Sequence, residues 1–110
     1  MPRLETPLLT VDAVILYDKD SLLLIKRKNP PFKGEFALPG GFVDIGETVE
    51  EACIREAKEE TSLDVSIRKL IGVFSKPDRD PRGHTVSIAY LCIPKSKKQK
   101  PKAQDDAASI

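Results

Sequence analysis

An acidic cluster built around one arginine is the part of this sequence best suited to chemistry. Seven acidic residues fall within the 23 positions from Gly41 to Leu63. Four of them surround Arg55, namely Glu47, Glu56, Glu59 and Glu60. Like charges three or four residues apart repel, so carboxylates gathered in this way need a cation between them. Because no metal-spaced cysteine or histidine accompanies them, the oxygen-only donor set favours Mg²⁺ or Mn²⁺.

A helix is predicted to carry these carboxylates, beginning near Thr48. Thr48 and Glu51 have the spacing of a capping box, which marks a helix N-terminus. Glu50, Glu51, Arg55 and Lys58 are expected to lie off the core-facing side of this helix. At about 100° per residue, one face holds three carboxylates and several apolar residues: Val49, Ala52, Cys53, Glu56, Glu59, Glu60 and Leu63. Carboxylates on a core-facing stripe indicate a bound cation, and the alternative is a solvated acidic helix.

The same segment resembles the sequence pattern of the Nudix hydrolases, G-x5-E-x7-R-E-U-x-E-E-x-G-U, where U is an apolar residue. The fixed positions are filled by Gly41, Glu47, Arg55, Glu56, Ala57, Glu59, Glu60 and Leu63. Ser62 departs from the pattern, which has glycine there. Since that glycine ends the helix in a left-handed conformation, serine is expected to adopt the same conformation at some cost.

The resemblance implies a hydrolase that splits diphosphate linkages with Mg²⁺ or Mn²⁺. Glu56 and Glu60 are implied as the principal metal ligands, with Glu59 as a further ligand or base. The backbone carbonyl of Gly40 is implied to complete the coordination. A metal suits this reaction because it neutralises the negative oxygens around phosphorus and lowers the pKa of a water molecule.

Two further residues of the pattern, Arg55 and Glu47, are implied to form an ion pair that orients the helix carboxylates. Without that function, the pair is a surface salt bridge of little energetic worth. Glu56 and Glu59 are the candidate general bases. A base elsewhere in the chain is the alternative.

Apolar runs on both sides of the acidic helix predict strands. The predicted extended segments are residues 8–17, 22–28, 35–43, 65–75 and 85–93, the first two forming a hairpin. The resemblance implies an α+β Nudix fold, in which a mixed β-sheet carries the helix within an αβα sandwich. Residues 1–110 are expected to form a single Nudix domain. Its usual C-terminal helix is missing here, so the chain is expected to be truncated or naturally short.

Composition adds little beyond a small globular domain. The 110 residues are 40% apolar and 32% charged, with a net charge of +1, which gives no general argument for a nucleic-acid partner. No apolar run is long enough to cross a membrane, and a cytoplasmic protein is expected. Cys53 and Cys92 are predicted core residues. The lysine-rich tail, 95–110, is expected to be polar, solvated and disordered, and a homodimer is expected because the sheet would lack one covering helix.

The loop before the last strand bears on substrate choice. Pro77, and the sequence DPRGH at residues 80–84, resemble features of Nudix ADP-ribose pyrophosphatases. The candidate substrate-binding residues are Arg27, Arg79, Arg82 and His84, because arginine pairs with phosphate and histidine hydrogen-bonds. The alternative is a loop whose aspartates and arginines pair with one another, with His84 in a structural role. Phe36 or Phe74 is a candidate to stack on adenine, although a core position is the favoured prediction for each.

ADP-ribose, split into AMP and ribose 5-phosphate, is therefore the leading predicted substrate. Three alternatives remain: a nucleoside triphosphate pyrophosphohydrolase, a non-catalytic sensor of ADP-ribose or NAD metabolites, and an inactive fragment. The intact glutamates disfavour the sensor. The loop at residues 80–84 disfavours the triphosphate enzyme.

Overall fold

A computed structural model describes residues 4–18, 21–29, 32–102 and 107–109. Its elements in chain order are β1 Leu8–Asp18, β2 Ser21–Leu22, β3 Ile25–Arg27, β4 Phe36–Ala37, β5 Gly40–Phe42, α1 Val49–Thr61, β6 Val65–Phe74, β7 Thr85–Pro94 and β8 Ala107–Ser109. The strand predicted over residues 22–28 is divided into β2 and β3. The segment predicted to be extended over residues 35–43 forms two short strands, β4 and β5. The remaining predicted strands, and the start of the helix, lie within two residues of their expected bounds.

The main sheet is mixed. Its order is β2-β1-β7-β6, and β5 also pairs with β1. β1 and β7 run parallel over eight residue pairs, from Leu8 opposite Thr85 to Ile15 opposite Cys92. β6 is antiparallel to β7 and forms one edge. A small second sheet has the order β4-β3-β8. This arrangement confirms the α+β class and the mixed sheet with a helix packed on it.

One face of the sheet packs against α1, and the alternation of β1 explains how. Val11, Ala13 and Ile15 are fully buried and belong to the same core cluster as Cys53 of α1 and Cys92 of β7. Because successive strand residues point to opposite faces, the intervening Thr10 and Asp12 lie on the face turned away from the helix. The two cysteine sulfur atoms lie within hydrogen-bond distance at 3.8 Å and form no disulfide. Both residues are fully buried, which confirms the prediction that they belong to the core.

Both ends of α1 have the predicted chemistry. Thr48 Oγ1 accepts from Glu51 N at 3.0 Å, and Glu51 Oε1 accepts from Thr48 N at 2.8 Å, so the capping box is confirmed. Ser62 ends the helix with φ +67°, and its N–H donates to the carbonyl of Lys58. Serine has therefore taken the left-handed position that the resemblance assigns to glycine, where a Cβ atom is unfavourable.

The segment after β7 differs from the predicted solvated tail. The lysine side chains at 95, 97, 98, 100 and 102 are exposed, but Gln99 exchanges hydrogen bonds with the backbone of Asp64, and its carbonyl accepts from the Tyr17 hydroxyl at 2.9 Å. Lys102 N donates to Thr61 O at 2.7 Å. In the described part of this segment, backbone and amide groups therefore contact the rest of the fold, while the ammonium groups stay in water. The described residues contain no helix long and apolar enough to cross a membrane.

Candidate active site

Arg55 lies at the centre of the acidic cluster. Its Nε and Nη2 donate to the two oxygens of Glu47 at 2.6 and 2.8 Å. Its Nη1 donates to Glu56 at 2.7 Å and to Glu59 at 3.1 Å. The implied ion pair with Glu47 is therefore present. Although Arg55 was expected to lie off the core-facing stripe, its long side chain reaches across the helix surface to its acidic neighbours.

This contact changes how both partners titrate. The two hydrogen bonds from Arg55, with a third from the backbone of Asp44, lower the pKa of Glu47 to about 2. The same contacts, first with Glu47 and then with Glu56, raise the pKa of Arg55. Both groups are ionised at neutral pH. Since Arg55 Nη2 also donates to the carbonyl of Phe42 at 3.0 Å, the guanidinium connects α1 to the end of β5.

The three helix carboxylates differ in burial. Glu60 is 3% exposed, and its Oε2 accepts from the N–H of Gly40 at 2.7 Å. The Glu56 side chain is 15% exposed, whereas that of Glu59 is 45% exposed. The prediction of a shared core-facing stripe was therefore wrong for Glu59, because the helix turns its side chain outward to solvent beside Arg55.

Two adjacent glycines in β5 bring the backbone close to this cluster. A Cβ atom on Gly41 would lie 2.6 Å from an oxygen of Glu56, and one on Gly40 would lie 2.8 Å from Oδ1 of Asp12 and would collide with the carbonyl of Val11. At Gly40 the close neighbour is backbone, so a side chain there would force the strands apart, whereas at Gly41 an added Cβ atom would require the Glu56 carboxylate to move. The glycines therefore allow β5 to approach both a helix carboxylate and β1.

Two cavities meet at this glycine pair. The carboxylate cavity, of about 430 Å³, is lined by Arg27, Gly40, Gly41, Phe42, Asp44, Glu56, Glu59, Glu60 and Arg82. The polar-floor cavity, of about 250 Å³, is lined by Thr10, Asp12, Arg27, Phe32, Ala37, Leu38, Gly40, Gly41, Phe42, Arg79, Asp80, Arg82 and Ser87. Five residues belong to both linings, so one elongated ligand can occupy the two cavities together.

The polar-floor cavity has an ordered hydrogen-bond network. Thr10 and Ser87 lie opposite each other on β1 and β7, with their hydroxyl oxygens 2.7 Å apart. Arg79 Nη2 donates to the Ser87 hydroxyl at 2.7 Å and to the Thr85 carbonyl at 3.1 Å. Burial raises the pKa of the nearby Asp12, against the opposing charge of Arg79. A fixed guanidinium and a carboxylate thus face the same cavity.

Arg82 lines both cavities, and its partner Asp80 lines the polar-floor cavity. Arg82 donates to both Asp80 oxygens, at 2.8 and 3.1 Å, and its guanidinium lies 5.4 Å from the centre of the Phe42 ring. The hydrogen bonds from Arg82 lower the pKa of Asp80 to about 2 and raise that of Arg82. Arg82 therefore pairs with a loop aspartate and also lies beside a ligand cavity. The two alternatives predicted for this loop occur together.

Comparison with known proteins accounts for this arrangement. The family model described as NUDIX domain matches residues 6–110, nearly the whole chain. The chain belongs to the Nudix family. Among curated relatives, it is similar to an ADP-ribose pyrophosphatase of Methanocaldococcus jannaschii, with 61% identity over 85 residues, which is 77% of this chain and 50% of that protein. The Nudix chain spans half or less of the length of the first curated relatives it matches.

Solved structures have the same fold. A MutT/nudix family protein from Enterococcus faecalis matches with a TM-score of 0.88 and 43% identity, over 99% of this chain and 44% of that one. A bifunctional NMN adenylyltransferase/ADP ribose pyrophosphatase from Francisella tularensis, solved with AMP and a Mn ion, matches with a TM-score of 0.84 and 35% identity, over 98% of this chain and 34% of that one. These matches confirm the Nudix fold of the chain.

Most site residues predicted for this Nudix chain lie around the two cavities. Arg27 and Arg82 line both, and Arg79 lines the polar-floor cavity alone. His84 lies outside both, because its Nε2 is 3.0 Å from the carbonyl of Ser75 and its neighbours are residues 5–8.

The prediction that Phe36 and Phe74 are core residues was wrong. Phe36 is 62% exposed and Phe74 is 47% exposed, so neither is a core residue. Neither lines the two cavities. The rings that do line them are Phe32 and Phe42.

Sequence reasoning missed Asp12, Thr10 and Ser87. Asp12 carried a usable signal, since a charged residue interrupts the apolar run of residues 8–16. When one face of a strand is buried against the core, a charged residue in that strand is expected to lie on the opposite face, among polar groups or solvent. Thr10 and Ser87 had no comparable signal, because their proximity arises only from the parallel pairing of β1 with β7.

The donor set fits a hard divalent cation. Four carboxylates and two glycine backbones line the carboxylate cavity, and no described histidine or cysteine lines it, which suits Mg²⁺ or Mn²⁺. As the side chains stand, no three acidic, histidine or cysteine residues among those described are grouped closely enough to hold one ion. Arg55 lies between these carboxylates and supplies positive charge to Glu56 and Glu59.

Proposed function

We propose that this chain hydrolyses the diphosphate linkage of ADP-ribose, giving AMP and ribose 5-phosphate, with Mg²⁺ or Mn²⁺ as cofactor. The observation that carries the proposal is the junction of the two cavities at Gly40 and Gly41, with carboxylates on one side and a polar, arginine-bearing floor on the other. A diphosphate joining two sugars has the matching elongated form. The named activities of the Methanocaldococcus and Francisella relatives support the same substrate.

The charges favour a diphosphate at the junction. Arg27 and Arg82 line both cavities, and arginine binds phosphate oxygens through paired N–H groups. Asp80 fixes the Arg82 guanidinium through two hydrogen bonds, which reduces the entropy lost when an anion binds. Phe42 lies beneath that guanidinium and restricts it further.

The residues proposed to hold the cation are Glu56, Glu59, Glu60 and the Gly40 carbonyl. When bound, the cation would neutralise phosphate charge and lower the pKa of a water molecule. Glu60 is already fixed by the Gly40 N–H, so it needs little rearrangement. Glu59, the most exposed of the three carboxylates, is the better placed candidate to accept a proton from water, with Glu56 as the alternative base.

Arg55 and Glu47 are proposed as positioning residues. Glu47 holds two nitrogens of the guanidinium, which leaves Nη1 directed at Glu56 and Glu59. Loss of either partner would release the helix carboxylates from one preferred orientation. Catalytic groups held within about 0.5 Å of their working geometry are needed for full activity.

Product analysis tests this proposal. The chain is incubated with ADP-ribose, NADH, diadenosine polyphosphates and nucleoside triphosphates, with Mg²⁺, with Mn²⁺ and with a chelator. We expect AMP and ribose 5-phosphate from ADP-ribose only when the cation is present, and no product with the chelator. Pyrophosphate from a triphosphate, with ADP-ribose left intact, would identify a triphosphate pyrophosphohydrolase instead. ADP-ribose binding by calorimetry without any product would identify a sensor.

A further inference from the structure

We propose that Asp12 selects the nucleoside part of the substrate by accepting a hydrogen bond from it. This inference rests on the proposed function and assigns a specificity-determining residue to the polar-floor cavity. Asp12 belongs to β1 and lines that cavity beside Gly40, its partner in the β1–β5 pairing. It lies outside the acidic helix and outside the carboxylate cavity.

Gly40 is what makes Asp12 reachable. A Cβ atom at position 40 would lie 2.8 Å from Asp12 Oδ1, so any side chain there would crowd the carboxylate. With glycine at this position, the neighbouring strand leaves the Asp12 oxygens facing the cavity. The same strand contacts the carboxylate cavity through Gly41, which places Asp12 at a short distance along a ligand that crosses β5.

The hydrogen-bonding state of Asp12 points to a ligand. Among the described residues, no group donates a hydrogen bond to its carboxylate, which is affected by burial and by the nearby charge of Arg79. A half-buried carboxylate gains stability from a donor, and such groups usually have one. Arg79 does not take that position, because its Nη2 is committed to Ser87 and to the Thr85 carbonyl.

The ligand group that fits is an O–H or N–H donor. A carboxylate only accepts hydrogen bonds when ionised, so it selects against ligands that present a lone pair or an anion at this point. ADP-ribose has two such donors on its nucleoside half: the ribose hydroxyls and the exocyclic amine of adenine. Substrate analogues that lack one or the other distinguish these sources.

The experiment compares the wild-type chain with Asp12→Ala and Asp12→Asn. Each is assayed for kcat and KM with ADP-ribose, with its inosine counterpart, which lacks the amine, and with counterparts lacking the 2′- or 3′-hydroxyl of the adenosine. For Asp12→Ala we expect KM for ADP-ribose to rise ~10–100-fold with little change in kcat, as for loss of a charged hydrogen bond. Asp12→Asn retains an acceptor oxygen and is expected to recover part of that loss.

The decisive result is analogue-specific. One analogue should show nearly the same KM in wild type and Asp12→Ala, because it already lacks the donor that Asp12 accepts from. That analogue identifies the amine or the hydroxyl as the source. Asp78→Asn, an exposed aspartate in the β6–β7 loop, is the matched control and should leave all constants unchanged.

Two outcomes overturn the inference while the wild type still hydrolyses ADP-ribose. The first is an unchanged KM in Asp12→Ala. The second is an equal loss for every analogue, which would show that Asp12 does not accept from the adenosine part of the substrate. A wild-type chain that releases no AMP would instead refute the proposed function, so the two failures are distinguishable. Thermal unfolding of each variant, expected within a few degrees of wild type, separates either result from misfolding.

Discussion

The carboxylate of Glu60 and the N–H of Gly40 form a 2.7 Å hydrogen bond between the last turn of α1 and strand β5. Since Glu60 is almost completely buried, this bond fixes its carboxyl group in the lining of the carboxylate cavity. A charge-assisted bond in such a place is stronger than one at the surface. The helix and the glycine strand are thereby held as one unit.

Replacing Glu60 with glutamine keeps the oxygen that accepts from Gly40 and removes the charge proposed to hold the cation. We expect turnover of ADP-ribose to fall by ~10²-fold or more, since metal stabilisation of phosphoryl charge is worth several kcal/mol. Glu56→Gln should act in the same way. The measurement is AMP release across a Mg²⁺ titration.

The matched control for these variants is Glu50→Gln. Glu50 lies on the same helix, but it accepts from the Tyr90 hydroxyl at 3.1 Å and lines neither cavity. The Glu50→Gln variant should retain wild-type turnover of ADP-ribose. If Glu60→Gln and Glu56→Gln were as active as Glu50→Gln at every Mg²⁺ concentration, the carboxylate cavity would not be the cation site.

The two glycines of β5 are expected to respond differently to alanine. At Gly40 the added methyl group would meet the Val11 backbone, which cannot move aside, so Gly40→Ala should destabilise the fold by more than ~2 kcal/mol. At Gly41 it would meet the end of the Glu56 side chain, which can rotate. Gly41→Ala should therefore lose activity with a smaller loss of stability.

Urea unfolding combined with the AMP assay measures both effects. Gly72→Ala is the control, because the nearest atom to its added Cβ would be 3.5 Å away, an ordinary contact. Equal losses of stability in Gly40→Ala and Gly41→Ala would contradict the assignment of a rigid neighbour to one glycine and a flexible neighbour to the other.

Ser62→Gly should stabilise the chain. Ser62 holds φ +67°, where a side chain costs roughly 1–2 kcal/mol, while glycine adds an entropic cost of roughly 0.5–1 kcal/mol. The difference predicts a gain of ~0.5 kcal/mol in the free energy of unfolding, measured by urea denaturation. Ser62→Ala keeps the strain and serves as the comparison. A gain in the alanine variant equal to that in glycine would rule out backbone strain as the cause.

Acid should remove the contribution of Glu47 to stability within a defined range. Its pKa is about 2 in the folded chain, against an ordinary value of 4.5, because Arg55 stabilises the ionised form. A lowered pKa stabilises the fold fully above about pH 4.5, and that stabilisation disappears as the pH falls toward about 2. The unfolding free energies of wild type and Glu47→Gln should therefore converge over this range.

Urea unfolding at pH 7, 4 and 2.5 follows that convergence. Glu5→Gln, at an exposed glutamate outside the acidic cluster, is the control and should differ from wild type by the same small amount at each pH. A constant gap between wild type and Glu47→Gln from pH 7 to 2.5 would mean that the Arg55 contact does not stabilise the folded chain.

Local chemistry explains which parts of the structure were predictable from sequence. The capping box of Thr48 and Glu51 involves neighbours along the chain, so spacing alone predicted it. The strands followed from apolar alternation, and the left-handed Ser62 followed from the family pattern. Each of these features depends on a few adjacent residues.

Features that depend on tertiary contacts were not predictable in the same way. The position of Arg55 follows from rotamer choice on a crowded helix surface, which a helical projection does not describe. Thr10 and Ser87 are 77 positions apart and meet only because β1 and β7 run parallel. The docking of Gln99 against Asp64 required the end of α1 and the start of β6 to be in place. Composition suggested only a soluble lysine-rich segment there.

The position of Arg55 has a consequence for how the chain is made and loaded. Its guanidinium acts as a built-in counter-ion, so the acidic helix can fold against the sheet before any cation arrives. A cation bound as proposed would share Glu56 and Glu59 with this resident charge. Its affinity would then be lower than for the same carboxylates without the guanidinium, and the folded chain would not depend on the cation to offset their mutual repulsion.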